Sequence, residues 1–400
     1  MPALAERLKQ FSVSASVVMA SKARELAAQG IKVVSMTTGE PDFATPANAI
    51  AAAHEAALAG ETKYPPQDGT KRLKEAVQRK FRRDNALDYA LDEIMITNGG
   101  KQSIFNAFMA TIDPGDEVVI PTPYWSSYSE MAKVAQGVPV FVSCPQNNGF
   151  KLRPEDLEAA ITPRTKWVML NFPNNPTGAA CSRAEMAAIA AVLMRHPHVW
   201  VMTDDMYEHL VYDGFEFCTI AAVEPGLKDR TLTVNGASKT YAMTGWRIGF
   251  CGGPKALIKA MVNMQGQTTA GVSSIGQAAA AAALDGPQDG VAERAAIYRE
   301  RRDLMVDMLN AAPGIQCHKP EGAFYVFPNI AGCIGKTSAA GRLIATDGDF
   351  ALALLEEKYV AVVQGAAYGM SPYIRLSYAS TTEHVREGCA RIQVFCRALR

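Results

Sequence analysis

The sequence predicts an α/β protein, in which a large domain with a mainly parallel, helix-covered sheet is followed by a smaller α+β domain. Its 400 residues exceed what one hydrophobic core usually needs, at roughly 100–200 residues per domain. Between Ile94 and Phe250, short apolar runs without polar alternation are separated by amphipathic helical stretches, as expected of parallel strands buried on both faces. Beyond Gly286 the texture changes to a long charged helix and shorter, scattered runs.

In chain order, a helical pattern spans Val17 to Gln29, and the apolar run Lys32 to Met36 is closed by Gly39-Glu40-Pro41-Asp42. Strand-like Ile94 to Thr97 precedes helical Gln102 to Thr111. Glu117 to Ile120 precedes Trp125 to Ala135, and Lys166 to Leu170 precedes Arg183 to Met194. The runs Val199 to Thr203, Thr231 to Val234 and Arg247 to Phe250 follow, and the alanine-rich stretch Ala278 to Ala283 reads as buried helix. A continuous helix through Gly286 would join the two domains. The smaller domain then holds a helix from Val291 to Ala311, strand-like runs at Ala323 to Phe327, Val360 to Val363 and Ile374 to Tyr378, and a closing helix from His384 to Ala398. The expected division is an amino-terminal segment, 1–45, packed with the small domain, then a large domain, 46–285, and the small domain, 286–400.

Composition excludes several functions. Forty basic residues balance forty acidic ones, so neither nucleic acid nor an anionic membrane surface is an expected partner. The eight cysteines are scattered with no CxxC pair, which suits reduced packing residues. Met1 to Gln10 lacks the apolar stretch of a signal peptide, and no window reaches the length of about eighteen apolar residues that a membrane span needs. A cytoplasmic protein is expected.

Four windows carry the chemistry. The longest is Asn235-Gly236-Ala237-Ser238-Lys239-Thr240-Tyr241-Ala242-Met243-Thr244-Gly245-Trp246-Arg247-Ile248-Gly249. A lysine ordinarily extends to water, but apolar and glycine-rich neighbours flank Lys239. A desolvated lysine loses pKa and becomes an amine nucleophile toward a carbonyl. Arg247, in equally apolar company, offers a fixed fork for a phosphate, and Ser238 offers a hydroxyl. The second window, Asn171-Phe172-Pro173-Asn174-Asn175-Pro176-Thr177-Gly178, is rich in turn formers. It also follows a strand at the carboxyl end, where open α/β sheets place ligands, and an Asn there can donate to a phenolate-like oxygen. The third, Thr203-Asp204-Asp205-Met206-Tyr207, reads either as a helix cap with a solvated neighbour or as Asp204 facing a pyridine nitrogen, with Tyr207 on the same face. A carboxylate there favours the protonated ring, the electron sink of pyridoxal chemistry. The fourth, Thr97-Asn98-Gly99-Gly100-Lys101-Gln102, is a glycine turn whose free N–H groups suit a phosphate.

Two other motifs fail. Gly335-Lys336-Thr337 looks like the end of a nucleotide-binding loop, but the required first glycine is Ile330. His196-Pro197-His198 has no further ligands at metal-binding spacing, so a turn is expected and no metal. Six histidines and no G-x-S-x-G elbow leave little for a serine triad.

The order glycine turn, Asn-Pro-Thr-Gly, Asp-x-x-Tyr and Ser-Lys followed by Arg resembles the class I aminotransferases of pyridoxal phosphate (PLP) fold type I, above all their bacterial aspartate-type branch. The resemblance runs from Ser14 to the final helix, and the string Ser238 to Gly249 is its most specific part. It implies a seven-stranded sheet, PLP as cofactor, amino acid and 2-oxo acid substrates, and a homodimer with shared active sites. By that resemblance Lys239 carries PLP as a Schiff base and moves the proton as general base. Arg247, Ser238 and the backbone of Gly100 and Lys101 hold the phosphate, Asp204 pairs with the ring nitrogen, and Asn175 and Tyr207 bond the ring oxygen. Trp125 lies against the ring, and Tyr64 reaches the neighbouring subunit's phosphate. Arg375, in Tyr373-Ile374-Arg375-Leu376-Ser377-Tyr378, receives the substrate's α-carboxylate, with the Gly39 backbone and Asn175 completing the grip.

Lys101, Ser14 and Ser16 stand where this branch receives the side-chain carboxylate of aspartate or glutamate. Ser16 replaces a commoner threonine, Gly236 stands where some relatives carry a phosphate-binding serine, and Pro65-Pro66 stiffens the turn after Tyr64. The expected reaction is a ping-pong transamination between L-aspartate and 2-oxoglutarate, with prephenate as a further acceptor. The alternatives are a transaminase for neutral or aromatic amino acids, a PLP-dependent β-lyase, or a PLP-sensing binding domain. The last is disfavoured by the neutral charge and by the lack of a basic segment before Ser14.

Overall fold

The computed structural model of the protein describes residues 4–9 and 15–400. After a helix, Ala15–Ala28, comes strand β1 (Val34–Ser35). The large sheet uses β2 (Ile94–Thr97), β3 (Glu117–Thr122), β4 (Val138–Ser143), β5 (Thr165–Leu170), β6 (Trp200–Asp204), β7 (Thr231–Gly236) and β8 (Gly249–Gly252). The smaller part adds β9 (Tyr325–Val326), β10 (Val360–Ala361), β11 (Val363–Gln364) and β12 (Ile374–Ser377).

The seven strands lie in the order β2-β8-β7-β6-β5-β3-β4. Pairs among β3 to β7 are parallel, and β8 alone runs against its neighbours β2 and β7. Every residue of β2, β7 and β8 is buried, which explains their lack of alternation. One apolar cluster joins β2 and β8 to the helices Lys71–Asn85 and Ser274–Asp285. A second packs the opposite face against Gly100–Thr111 and Lys255–Gly266. A separate cluster unites Val34 and Met36 with Phe350, Val360, Ile374 and Ile392. Among the described residues no helix is long and apolar enough to cross a membrane.

The expected continuous helix through Gly286 is broken. Ser274–Asp285 stops at Gly286, which is extended (φ −77°, ψ −174°), and a new helix runs from Asp289 to Asn310. Pro287 is the cause, since a proline disfavours helical geometry in the residue before it. The run Val360 to Val363 splits into β10, paired with β1, and β11, paired with β12. Strand β4 had no place in the expected order: it is an edge strand, mostly exposed or half-exposed, and Pro139 within it suits only an edge. The helices Ala47–Leu58, Lys71–Asn85, Lys255–Gly266 and Asp347–Lys358 also lie outside the expected order.

Candidate active site

A cavity of about 610 Å³ opens where the carboxyl ends of β5, β6 and β7 meet the turn after β2, with Thr37 to Glu40 on the other side. Lys239 enters it from the loop after β7. That loop is fixed from within by the Met243 N–H, which donates to the Ser238 carbonyl (3.1 Å). It is fixed from behind by the helix Asp289–Asn310, whose Arg294 donates to the Thr240 carbonyl (2.8 Å). The Lys239 amine donates to the Gly39 carbonyl. Desolvation pulls its pKa down to about 8, against the opposing pull of Glu40, so a share of the neutral amine is present near neutral pH.

Asp204 ends β6 and is buried, which pushes its carboxyl up to about 6. It is held by the Tyr128 hydroxyl at 2.6 Å, and the Asn171 amide fixes its backbone carbonyl at 2.8 Å. Tyr207 lies on the same wall, its hydroxyl 2.9 Å from that of Tyr325. The loop after β5 is pinned internally: the Asn175 N–H donates to Asn171 Oδ1 (3.0 Å) and the Thr177 N–H to Asn174 Oδ1 (3.1 Å). Asn175 Oδ1 accepts from Arg375 (3.0 Å), which leaves its amide nitrogen as the donor for a ligand.

Arg375, on β12, is only 4% exposed, and its guanidinium lies between the faces of Tyr325 (4.6 Å) and Tyr368 (5.0 Å). It also donates to the Thr37 carbonyl, while its buried Nε has no hydrogen-bond partner among the described residues. At the other end, Arg247 adopts a left-handed backbone (φ 57°) and donates to the carbonyls of Thr244 (2.9 Å) and Asn98 (3.3 Å). Gly99 has φ +82° and ψ 157°, a conformation that only glycine adopts readily, and its bare α-carbon leaves room for the Arg247 guanidinium against it. Lys101 follows, its amine 4.8 Å from the centre of the Trp125 ring. Burial, then Arg247, lowers its pKa.

The cavity thus gathers Lys239, Asp204, Tyr207, Gly100, Lys101, Trp125, Asn175, Ser238, Arg247, Gly39 and Arg375 from distant parts of the chain. Tyr64 does not line it and is 97% exposed. Ser14 lies outside the described residues, as does the side chain of Ser16. Tyr128, Tyr325 and Arg24 line the cavity without having been anticipated. Tyr128 sits three residues after Trp125, a spacing that shares a helix face and gave a usable signal. Tyr325 carried none, because it sits in an apolar run that reads as packing.

These residues fit PLP. A buried carboxyl with no cation at hydrogen-bonding distance among the described residues suits a protonated ring nitrogen, and Lys101, Lys239, Arg247 and Arg375 outnumber Asp204 and Glu40 around a space for anionic groups. The chain belongs to the class I and II aminotransferases, PLP-dependent transaminases acting on amino and 2-oxo acids; that family's profile matches residues 31–392. It is 56% identical to an aspartate/prephenate aminotransferase of Cereibacter sphaeroides, over 99% of each chain. It is 53% identical to an aspartate aminotransferase of Rhizobium meliloti, over 99% of this chain and 96% of the other. A crystal structure of aspartate aminotransferase from Rhizobium meliloti superposes with a TM-score of 0.97 at 52% identity, covering 100% of both chains. The Thermus thermophilus aspartate aminotransferase with maleate superposes at 0.92 and 40% identity, covering 99% of this chain and 100% of that one.

Proposed function

We propose that this chain exchanges the amino group between L-aspartate and 2-oxoglutarate by a ping-pong mechanism, in the cytoplasm and as a homodimer. The observation that carries the reading is that two carboxylate receptors share one cavity: Arg375, immobilised between two tyrosine faces, and Lys101, presented on the glycine turn beside Trp125. A dicarboxylic substrate satisfies both, and the names of the relatives at 53–56% identity support the same substrate.

When bound, PLP draws electron density from the substrate's α-carbon into its protonated ring. Asp204 keeps the ring nitrogen protonated, and Tyr128 keeps Asp204 in place. Tyr207 and the Asn175 amide would donate to the ring oxygen, and Arg247, Ser238 and the backbone N–H groups of Gly100 and Lys101 would hold the phosphate. Trp125 covers the ring. Arg375 orients the substrate through its α-carboxylate, so that the α-hydrogen faces Lys239. The Lys239 amine, lowered by burial to about 8 in the cofactor-free chain, would serve as the base that takes this proton and hands it on. The exposed Tyr64, set beside Pro65 packed on Gly271, serves the phosphate of a second copy. Residues 46–285 are read as the cofactor-holding body, with 1–45 and 286–400 as the body that carries Arg375.

Replacing Lys101 by Ser is expected to lower kcat/KM for aspartate by about 100-fold, as for a lost charge-assisted contact, with alanine changed less than about 3-fold. Equal losses for both would overturn the dicarboxylate reading. A second reading, that prephenate is also aminated, is favoured by the likeness to the Cereibacter aspartate/prephenate aminotransferase and is decided by assaying prephenate with the same enzyme.

A further inference from the structure

The hydroxyl of Tyr325 belongs to none of the roles above, yet it lies at their meeting point. Its ring is one face of the Arg375 sandwich at 4.6 Å. Its oxygen is 2.9 Å from the Tyr207 oxygen, and on its other side it abuts Gly39, where a β-carbon would collide with it. The Gly39 carbonyl in turn receives the Lys239 amine. Tyr325 is 1% exposed, and among the described residues its hydroxyl has no hydrogen-bond partner other than Tyr207.

A buried hydroxyl proton seeks an acceptor. With Gly39 packed against the Tyr325 oxygen, the acceptor on offer is Tyr207. If Tyr325 donates, Tyr207 cannot use its own proton toward Tyr325 and must direct it into the cavity. A phenol that accepts one hydrogen bond is also a stronger donor in the next. We infer that Tyr325 is a positioning residue that polarises Tyr207 and commits its proton to the cofactor's ring oxygen. This deepens the assignment of Tyr207 to that oxygen and rests on it.

The consequence is a proton equilibrium on Lys239. Donation to the ring oxygen stabilises the negative charge left there once the Lys239 nitrogen, joined to the cofactor, gives up its proton. Strong donation therefore lowers the pH at which the cofactor's visible absorption changes. In the PLP-loaded enzyme, Tyr325→Phe keeps the ring beside Arg375 and removes only the hydroxyl. The absorption midpoint is expected to rise by about half a unit. Tyr207→Phe is expected to raise it by more than about one unit. In the Tyr207→Phe background, the added Tyr325→Phe change should have no further effect. Maleate affinity should stay within about 2-fold, because a merely structural role would disturb Arg375 and weaken it.

An unmoved midpoint in Tyr325→Phe alongside a shifted one in Tyr207→Phe overturns the inference and spares the assignment of Tyr207. Unmoved midpoints in both overturn the two together. A shift from Tyr325→Phe that persists in full without the Tyr207 hydroxyl, or a large loss of maleate affinity, overturns the relay through Tyr207.

Discussion

Two adjacent carboxylates leave the end of β6 for opposite faces of the sheet, and only one of them enters the active site. Asp204 opens onto the cavity and is held by Tyr128 at 2.6 Å. Asp205 points behind it, bound by the hydroxyl of Thr203, with one carboxyl oxygen lacking any hydrogen bond among the described residues. Beyond Asp205 lies a second polar nucleus. Lys80, 2% exposed, pairs with Glu208 and donates to Asn85 Oδ1 (2.6 Å), the Asn85 amide donates to Glu208 (2.6 Å), and His209 lies 3.2 Å from Asp84. Burial raises both aspartates, to about 6 and about 7. A raised pKa thus fails to tell them apart. What separates them is what each faces: a cavity ringed by cations, or a closed set of ion pairs.

The largest effect expected from this contrast is on chemistry. Asp204→Asn removes the anion that keeps the ring nitrogen protonated and should slow the half-reaction with aspartate by roughly 1000-fold, the scale of a broken buried charge pair. The cofactor-free protein should melt no earlier, because among the described residues Asp204 has no cation at hydrogen-bonding distance, only the coulombic pull of Lys239. An unchanged half-reaction with a lowered melting temperature would make Asp204 a structural group and erase the contrast.

On the rear face the effect should fall on stability. Lys80→Met takes the buried lysine from Glu208 and leaves it only the Asn85 amide and His209, 3.3 Å away, a loss of about 3 kcal/mol in unfolding free energy. The KM for aspartate should change less than about 3-fold. The double variant Lys80→Met/Glu208→Gln should recover much of the loss, since the stranded charge is gone. A KM shift without destabilisation would tie the rear nucleus to substrate binding.

The front face was readable because the cavity residues at the ends of β2, β5, β6 and β7 close or follow strands and carry local markers. Asn171 to Gly178 is full of turn formers, Asp204 ends an apolar run, and Gly99 takes a positive φ that favours glycine. The alternation of strands and helices was equally visible. The rear nucleus was not, because Lys80, Asn85 and Glu208 meet only in three dimensions, and Lys80, although at the helical spacing of the buried Leu73, Ala76, Val77 and Phe81, reads as one more charge in the charge-rich helix Lys71–Asn85. Tyr325 was illegible for the opposite reason, as one aromatic among many in an apolar stretch. The break at Gly286 was legible in Pro287, whose effect on the preceding residue outweighs the helical character on either side.

The smallest effect separates the aspartates by pH. Asp205 is raised from 3.8 to about 7, chiefly by desolvation, so the folded protein keeps a proton that the unfolded chain releases. The unfolded state then binds fewer protons, and the stability this group contributes falls as pH rises from about 4 to about 7. Asp205→Asn has no such slope, so its melting temperature should gain on the parent's by a few degrees between about pH 5 and pH 8. Asp204 adds a slope of the same sign over a narrower window, up to about 6. Loading PLP gives Asp204 a cation to pair with, which should flatten that part and leave the part from Asp205 intact. Melting curves of the parent and both variants against pH, with and without PLP, resolve the two. If PLP abolishes the Asp205 slope as well, the rear nucleus is electrostatically coupled to the cofactor, and the two faces of β6 form one site.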